Sequence, residues 1–305
     1  METAIRITQP ILALLLSPLL FGVINKTKAF FAGRKGMPLL QVYFDLWKLL
    51  HKGVVYSRTT SWVFRASPIV GLAAIIIITM FIPMGHTSSL VSFDGDFIFV
   101  IYLFAMMRFF MVIAALDTGS SFEGMGASRE AQFSAMSEPA LFLVLVALVC
   151  VTGKFSLSEI LAAVSAQFWF SHLAVILFIA AALIIVLLAE NARIPVDDPN
   201  THLELTMIHE VMVLDNSGPD FAFITLTSGL KLWIFAVLLV SVLIPDFGLG
   251  RQLNIIICIS GVFVIAIAIG IIESCMARLR LLFVPHFIFA ATVFAVLGLI
   301  FVLGK

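Results

Sequence analysis

Long runs of apolar residues, separated by shorter polar stretches, dominate the pattern along this chain. Eight of these runs approach the length of about 20 residues at which an α-helix crosses a hydrocarbon core. Their predicted positions are 5–24, 66–83, 97–116, 131–152, 171–190, 221–244, 253–272 and 281–303. The pattern therefore predicts an all-α integral membrane protein, a bundle of eight transmembrane helices forming a single domain over residues 1–305.

The composition agrees with this prediction. Hydrophobic residues make up 62% of the chain and charged residues 12%, a balance that excludes a water-soluble globule and makes the lipid bilayer the expected surroundings. Cys150, Cys258 and Cys275 lie far apart without a C-x-x-C pair, so the sequence offers no iron–sulfur ligand set. The 18 basic residues equal the 18 acidic ones. The net charge therefore gives no argument for a nucleic-acid partner, and we expect none.

The distribution of charge predicts the orientation. Basic residues crowd the connection between the first two spans, whereas the next connection, 84–96, carries only Asp94 and Asp96 as charged residues. These basic residues are Lys26, Lys28, Arg34, Lys35, Lys48, Lys52, Arg58 and Arg65. Because cytoplasmic loops collect Lys and Arg, we expect a multi-pass protein of the cell (inner) membrane with both termini outside. The first span should stay in the mature chain, since its cations follow its apolar core.

The first cytoplasmic loop contains a short amphipathic segment, 39–52. Its polar residues Gln41, Asp45, Lys48 and Lys52 follow one another at helical spacing, with apolar residues on the other faces. This pattern predicts a helix that lies in the membrane interface.

The fourth predicted span contains a carboxylate at membrane depth. Glu138 lies beside Pro139, and the apolar stretch 139–152 is short for a span, so we expect the helix to begin earlier and Glu138 to be buried. Such a group usually faces the bundle interior and marks an ion or proton route. The alternative is an interfacial Glu on a helix that begins at Pro139.

The third cytoplasmic loop, 190–220, is the most polar part of the chain. Its segment 200–214 alternates polar and apolar residues at helical spacing, which predicts a short ordered helix that lines a cavity or forms a docking face. His209-Glu210 does not continue as H-E-x-x-H, because position 213 is Val. We therefore predict no metal site.

Several stretches together resemble a known family. They resemble the membrane subunit shared by respiratory complex I (its subunit 1, or H) and membrane-bound NiFe hydrogenases, and look most like the membrane subunit of formate hydrogenlyase. The matching stretches are Arg34-Lys35-Gly36 with Gln41, Asp45 and Lys48, Phe64-Arg65-Ala66-Ser67-Pro68, Leu116 to Phe122, Gly126 to Glu130, Glu138-Pro139, and Glu273 to Arg280.

The third loop matches the family pattern in part. The family pattern E-x-x-[KR]-x-P-F-D is kept at Glu190, Arg193, Pro195 and Asp197, but Val196 replaces the Phe. Further on, Asn200 and His202 stand where the family often has Glu. The resemblance therefore leaves the number of carboxylates in the predicted conduit open.

The resemblance implies a membrane-anchor subunit of an energy-converting oxidoreductase, which docks a soluble redox module and adds a proton or sodium route. The implied partners are hydrogenase-like large and small subunits and antiporter-like membrane subunits. The implied cofactors, a 4Fe-4S cluster and NiFe, belong to the partners, and this chain carries none. One alternative is the membrane subunit of NADH:quinone oxidoreductase, whose cytoplasmic pocket admits a quinone.

Two alternatives come from other classes. A stand-alone ion-coupled transporter would share the membrane carboxylates, but we find no repeat with broken helices. An intramembrane hydrolase would need a nucleophile, and Ser121 lacks the G-x-S-x-G frame.

Polar residues of the cytoplasmic side are the candidate site. For the proton route or cavity they are Asp45, Lys48, Asp117, Glu123, Arg129, Glu130, Glu138, Glu190, Arg193, Asp197, Glu204 and Glu273. For partner docking they are Arg34, Lys35, Asp197, Asp198, His209 and Glu210. Because a subunit without redox ligands can couple to electron transfer only by contact, docking should use the face formed by 39–52, 117–130 and 191–220.

Overall fold

A computed structural model describes residues 2–197, 208–248 and 250–304 of the chain. Within these ranges the regular structure is helical, and eight helices are long and apolar enough to cross a membrane. The helices are α1 Glu2–Phe31, α2 Gln41–Leu50, α3 Trp62–Phe81, α4 Asp96–Asp117, α5 Ser121–Thr152, α6 Leu157–Ala162, α7 Ala166–Ser171, α8 Leu173–Glu190, α9 Gly218–Leu243, α10 Arg251–Cys275 and α11 Val284–Leu303.

Each of the eight predicted spans coincides with one of these helices, with shifts at the ends. The largest shift is in the fourth span, where α5 begins at Ser121 instead of 131 and runs for 32 residues. A helix of that length rises about 48 Å, more than a hydrocarbon core of about 30 Å. Part of α5 therefore extends beyond the apolar layer, and the alternative in which the helix begins at Pro139 is wrong.

The predicted interfacial helix is also confirmed. The amphipathic segment forms α2, and none of its residues is buried. The Tyr43 hydroxyl donates a hydrogen bond to the carbonyl of Leu15, which ties α2 to the side of α1. Phe44 and Trp47 are more than half exposed, as expected of side chains that enter the lipid interface.

Helix α9 is the centre of the bundle. Its membrane window is 83% buried, against 22% for the window that contains α11. Trp233 and Phe235 are 1% exposed, and the Phe235 ring packs on Phe104 of α4. A polar side chain on α9 therefore lies among neighbouring helices and not in lipid.

The two ends of the bundle differ in their connections. The described connections at the α2 end are 32–61, 118–120, 191–197, 208–217 and 276–283, and those at the opposite end are 82–95, 153–172 and 244–248. At the α2 end the 3-10 turn Glu210–Val213 packs on α5. Gly126 allows this close approach, because a Cβ there would lie 2.2 Å from a methyl of Val211.

The helix predicted over 200–214 is only partly covered by the description. Residues 198–207 lie outside it, and the remainder contains the 3-10 turn Glu210–Val213. Asp198 and Glu204 lie in the part that is not described.

Candidate ion-transfer site

Five charged side chains from four helices meet inside the bundle, and we call them the charged cluster. They are Arg108 of α4, Glu130 and Glu138 of α5, Glu190 of α8 and Lys231 of α9. Arg108 is at the centre: its Nε lies 3.1 Å from Glu130 Oε1, and its two terminal nitrogens contact Glu138 and Glu190.

Lys231 and Ser137 complete the surroundings of Glu190. The Lys231 Nζ lies 2.8 Å from Glu190 Oε2, and the Ser137 hydroxyl donates to Glu190 Oε1. The side chain of Glu190 is 3% exposed and that of Lys231 is 6% exposed. Each charge is therefore matched by an opposite charge or a donor, which offsets the desolvation that burial imposes.

The depth of the cluster follows from helix geometry. Arg108 lies twelve residues after Asp96, the first residue of α4 at the opposite end. At the rise of an α-helix this places it about 18 Å from that end, within a hydrocarbon core of about 30 Å. Ionisable side chains at such depth usually line ion or proton pathways.

The charges of the cluster do not cancel. Three carboxylates face two basic side chains, a formal surplus of one negative charge when all five groups are ionised. His209 is the next ionisable group, with its Nδ1 3.5 Å from Glu130 Oε2.

A cavity of about 330 Å³ lies beside the cluster at the α2 end. Its walls come from α1, α2, α9 and the third loop. Phe21, Leu46, Leu49 and Phe221 form apolar walls, while Asp45, Asn191, Arg193, Asp197, His209, Glu210 and Ser228 add polar groups. This volume is in the range of ligand pockets.

His209 connects the cavity to the cluster. It lines the cavity and also a smaller void of about 20 Å³, which Arg108, Glu130, Ser228 and Lys231 line as well. His209 therefore lies between the cavity and Glu130. An imidazole can accept a proton at one ring nitrogen while it donates from the other.

A second set of ion pairs anchors the third loop. Arg193 Nη1 lies 3.3 Å from Glu273 Oε1, and Lys28 Nζ lies 2.8 Å from Glu273 Oε2. Arg278 Nη2 lies 2.8 Å from Asp197 Oδ1, while Asp197 Oδ2 accepts a hydrogen bond from the backbone of residue 208. These contacts join the end of α8 to α1 and to the end of α10.

Comparison with known proteins identifies the family. Residues 5–303 match the family model described as NADH dehydrogenase. The chain belongs to this family. Relatives include hydrogenase-4 component C of Escherichia coli (strain K12), 31% identical over 287 residues that cover 92% of this chain and 89% of that protein. Formate hydrogenlyase subunit 4 of the same strain is 31% identical over 302 residues, 97% of each chain.

More distant members of the family also match. A subunit of the NADH-quinone oxidoreductase of Rickettsia peacockii (strain Rustic) is 26% identical over 248 residues, 79% of this chain and 70% of that protein. Among solved structures, a chain of the membrane-bound sulfane sulfur reductase, an archaeal respiratory membrane complex, superposes with a TM-score of 0.84. It is 22% identical, covers 99% of this chain and 100% of its own, and shows the shared fold.

The structure brings some of the predicted route residues of this family member together and separates others. Glu130, Glu138 and Glu190 meet in the charged cluster, and Asp45, Arg193 and Asp197 line the cavity. Glu138 is only partly buried, with 33% of its side chain exposed, so its predicted burial holds only in part.

Other predicted residues have separate positions. Lys48 is exposed on α2. Asp117 accepts a hydrogen bond of 2.6 Å from the backbone of Ser61, where α3 begins. Glu123 is buried, and its Oε1 accepts a hydrogen bond from the backbone of Asp215. Arg129 is partly exposed. Asp117 and Glu123 therefore make structural contacts with other segments of the chain, outside the cluster.

The docking prediction needs correction at one residue. Asp197 is 3% exposed and paired with Arg278, so it holds the loop and cannot meet a partner's surface. His209 faces Glu130 and the cavity with 23% of its side chain exposed, so little of it is open to a partner's surface, and its docking role stays a prediction. Arg34 and Lys35 are exposed, and Glu210 lines the cavity.

Sequence analysis missed Arg108 and Lys231. Both lie in the middle of predicted spans, at 97–116 and 221–244, and each is the only basic residue of its span. A basic residue at that depth is rare and needs an acidic partner. That signal was available in the sequence, but the partners could be named only from the packed helices.

Proposed function

We propose that this chain is the membrane subunit through which an energy-converting oxidoreductase complex, of the hydrogenase or formate hydrogenlyase kind, links electron transfer to proton movement. Similarity to subunits of two such complexes supports the proposal. The observation that carries it is the charged cluster, which reaches a cavity at the α2 end through His209.

In this mechanism the cavity end takes up the proton. His209 accepts it from the cavity and passes it to Glu130, and the excess negative charge of the cluster retains it. Arg108 contacts Glu130, Glu138 and Glu190, so a proton gained at one carboxylate leaves Arg108 to the other two and lowers their affinity for a proton. The group that drives release belongs to the partner subunits, which would carry the 4Fe-4S and NiFe cofactors.

The soluble module would dock at the α2 end. The predicted docking segments 39–52, 117–130 and 191–220 all have described residues there, and α2 forms one wall of the cavity. A redox event in a module docked over the cavity could therefore act on the residues that line it. Hydrogenase-like large and small subunits and antiporter-like membrane subunits are the proposed partners.

Proton transport by the reconstituted complex tests the route. In Glu190→Gln the side chain keeps its shape and loses its charge, so we expect redox-driven acidification of vesicles to stop while the complex still assembles. Glu159→Gln is the matched control, because Glu159 is 57% exposed at the opposite end. Normal transport by Glu190→Gln, or sodium uptake in place of proton uptake, would refute the proton route.

A quinone-linked function is the second candidate. The cavity combines apolar walls, which suit a quinone ring, with many polar groups that can bond to its carbonyl oxygens, and a subunit of an NADH-quinone oxidoreductase is a relative. Binding of a short-chain quinone to the purified complex tests it. Leu49→Trp, which fills the cavity, should abolish binding; binding that survives this change would place the quinone elsewhere.

The proposed orientation places both termini outside the inner membrane. Asp94 and Lys35 are exposed at opposite ends of the bundle and suit cysteine labelling. The exposed native cysteines, Cys150 and Cys275, are first replaced. A cysteine at 94 should react from outside and one at 35 only after permeabilisation, and the reverse result would invert the topology.

A further inference from the structure

Three parts of the chain meet around the side chain of His86 at the opposite end. His86 belongs to the connection between α3 and α4, and its ring lies between α6 and the residue that follows α9. Its Nδ1 lies 2.6 Å from the carbonyl oxygen of Leu161, and its Nε2 lies 2.8 Å from that of Ile244. One imidazole therefore joins segments that are 75 and 158 residues away along the chain.

Both neighbours of the His86 ring are hydrogen-bond acceptors. A backbone carbonyl oxygen can only accept, so each ring nitrogen has to donate if both contacts are hydrogen bonds. A neutral imidazole has one N–H group, and its other nitrogen would turn a lone pair toward a carbonyl oxygen. The imidazolium has two N–H groups and satisfies both carbonyls. The geometry therefore matches the charged form of His86.

The backbone at His86 shows that this side chain is held in a fixed place. Its φ is 56°, in the left-handed region that residues with a Cβ rarely adopt. Such a conformation persists where the surrounding contacts fix it. Gly85 also has a positive φ, and a Cβ there would lie 2.4 Å from the carbonyl oxygen of Asn254. The turn is therefore pressed against the first turn of α10, with the imidazole between its two carbonyls.

The two segments that His86 joins also pair with each other. The amide of Asp246 donates to the carbonyl of Val164 at 2.9 Å, and the amide of Ala166 donates to the carbonyl of Asp246 at 3.3 Å. Val164 lies shortly after Leu161 in the chain, and Asp246 lies shortly after Ile244. We call His86 and this pairing the outer junction.

The charge of His86 depends on its own proton. Glu159 pairs with Lys154 at 3.4 Å, and Asp246 accepts a hydrogen bond of 2.9 Å from the side chain of Asn254. Within the described part of the chain, no carboxylate forms an ion pair with His86. The ionisable side chains on the elements around the outer junction are Arg6, Asp94, Asp96, Lys154, Glu159, His172, Asp246, Arg251 and Cys258.

We propose that His86 is a pH-sensitive clamp, which as an imidazolium joins the connection 82–95 to both α6 and the end of α9. The inference goes beyond the proposed function and does not depend on which ion the complex moves. The second hydrogen bond exists only in the protonated state, so the clamp is complete in acid and is lost as the pH rises through the titration of the ring. His86 is only partly buried, so protons reach it from the water at this end.

The pH dependence of stability tests the clamp. Thermal unfolding of the wild-type protein and of His86→Gln is compared in detergent from about pH 5 to about pH 8, the range in which an imidazole changes charge. Because Gln does not titrate, the change in the difference reports the wild-type ring. We expect the difference in melting temperature to be larger at the acidic end by about 2–4 °C, the shift that one hydrogen bond gives.

His172→Gln is the matched control at the same end. Its Nδ1 lies 3.2 Å from the carbonyl of Phe168, one turn earlier in the chain, so this contact joins no distant segments. The difference between this variant and the wild type should stay constant over the same range of pH.

Hydrogen exchange in the wild-type protein is a second measurement that needs no variant. The protection factors of the Ala166 and Asp246 amides should fall as the pH rises. The amide of Gly95, which donates to the carbonyl of Phe155 at 2.9 Å away from His86, should keep its protection factor.

The outcomes are distinct from those for the proposed function. A melting-temperature difference that is constant or grows with pH would mean that His86 is neutral, and the inference would be wrong. Unchanged protection at the outer junction would overturn it as well, and this result decides alone if His86→Gln does not fold. Proton transport enters neither measurement, so the proposed function stands or fails separately.

Discussion

The two ends of the bundle both bury polar side chains, but they do so differently. At the opposite end Gln9 and Asp96 are buried and bond to neutral groups in nearby loops. The Gln9 amide donates to Thr87 at 2.7 Å, and Asp96 accepts from the Ser156 hydroxyl and the Leu157 backbone, each at 2.7 Å. These bonds join α1 and α4 to the loops.

In the charged cluster, between that end and the cavity at the α2 end, the charged groups are joined to one another. Arg108 contacts three carboxylates, and the cluster has access to both a cavity and a lateral groove between α4 and α5. The comparison teaches that burial of a polar group alone does not indicate transport. Under the proposed function, a surplus of charge with openings on two sides is what separates a proton route from a structural network, and the variants below test this distinction.

The largest effect is expected from Arg108→Ala. The change leaves the buried carboxylate of Glu190 with Lys231 as its remaining basic partner, and breaking a buried ion pair costs about 3–5 kcal/mol. Thermal unfolding of the purified protein in detergent measures the loss. Arg65→Ala is the control, since Arg65 is exposed and stacks on Tyr56, a contact worth about 1 kcal/mol at most. Equal melting temperatures for the two variants would contradict the assigned role of Arg108.

The second largest effect is expected on the rate of proton transport. His209→Gln removes the group that can accept and release a proton, so proton transport should fall about 10²-fold, the size typical of lost proton-transfer catalysis. Assembly should be unchanged. The comparison is His86→Gln at the opposite end, where both ring nitrogens lie within 2.8 Å of backbone carbonyls. His86→Gln should lower the melting temperature and keep proton transport normal. If His86→Gln slowed transport and His209→Gln only lowered the melting temperature, the roles proposed for the two histidines would be wrong.

Asp96→Asn should affect stability without affecting transport. Asp96 accepts two hydrogen bonds, and an amide would turn a donor toward one of those donors, at a cost of about 1–3 kcal/mol. The expected result is a lower melting temperature with a normal ratio of protons moved per turnover. A lowered ratio would mean that the opposite end also belongs to the route.

The smallest effect is expected at the exposed edge of the α2 end. Charge reversal at Arg34 and Lys35 should weaken binding of the soluble module by about 1 kcal/mol or less and make it more sensitive to salt. Titration of the soluble subunits at two salt concentrations measures it. The control is Lys154→Glu at the opposite end, which should bind the soluble subunits normally. If the double variant binds them at low salt as tightly as this control does, Arg34 and Lys35 do not belong to the docking face.

Much of the fold could be predicted from the sequence because each membrane span is a continuous stretch of apolar residues. Each span needs about 20 apolar residues, and the structure moves most of the predicted ends by only a few positions. The exceptions are instructive. Helix α5 extends past its apolar run to Ser121, because its first turns pack on the turn Glu210–Val213 and need no lipid-facing surface.

The candidate site was less accessible to sequence analysis. Glu130, Glu138 and Glu190 could be named as carboxylates near spans, but their common partner Arg108 lies 22 to 82 residues away along the chain. Asp197 illustrates the same limit. Its position in a polar loop predicted an exposed docking residue, whereas contact with Arg278 from another connection buries it.

The sequence by itself determined the class of the protein, its spans, its interfacial helix and its family, because these depend on composition and on short local patterns. Tertiary structure decided which charges neutralise one another, which histidine lies between the cavity and the cluster, and where the cluster reaches the surface. The physical reason is that the electrostatic energy of a buried charge depends on the few groups within contact distance. Those groups come from α4, α5, α8 and α9, which only packing brings together.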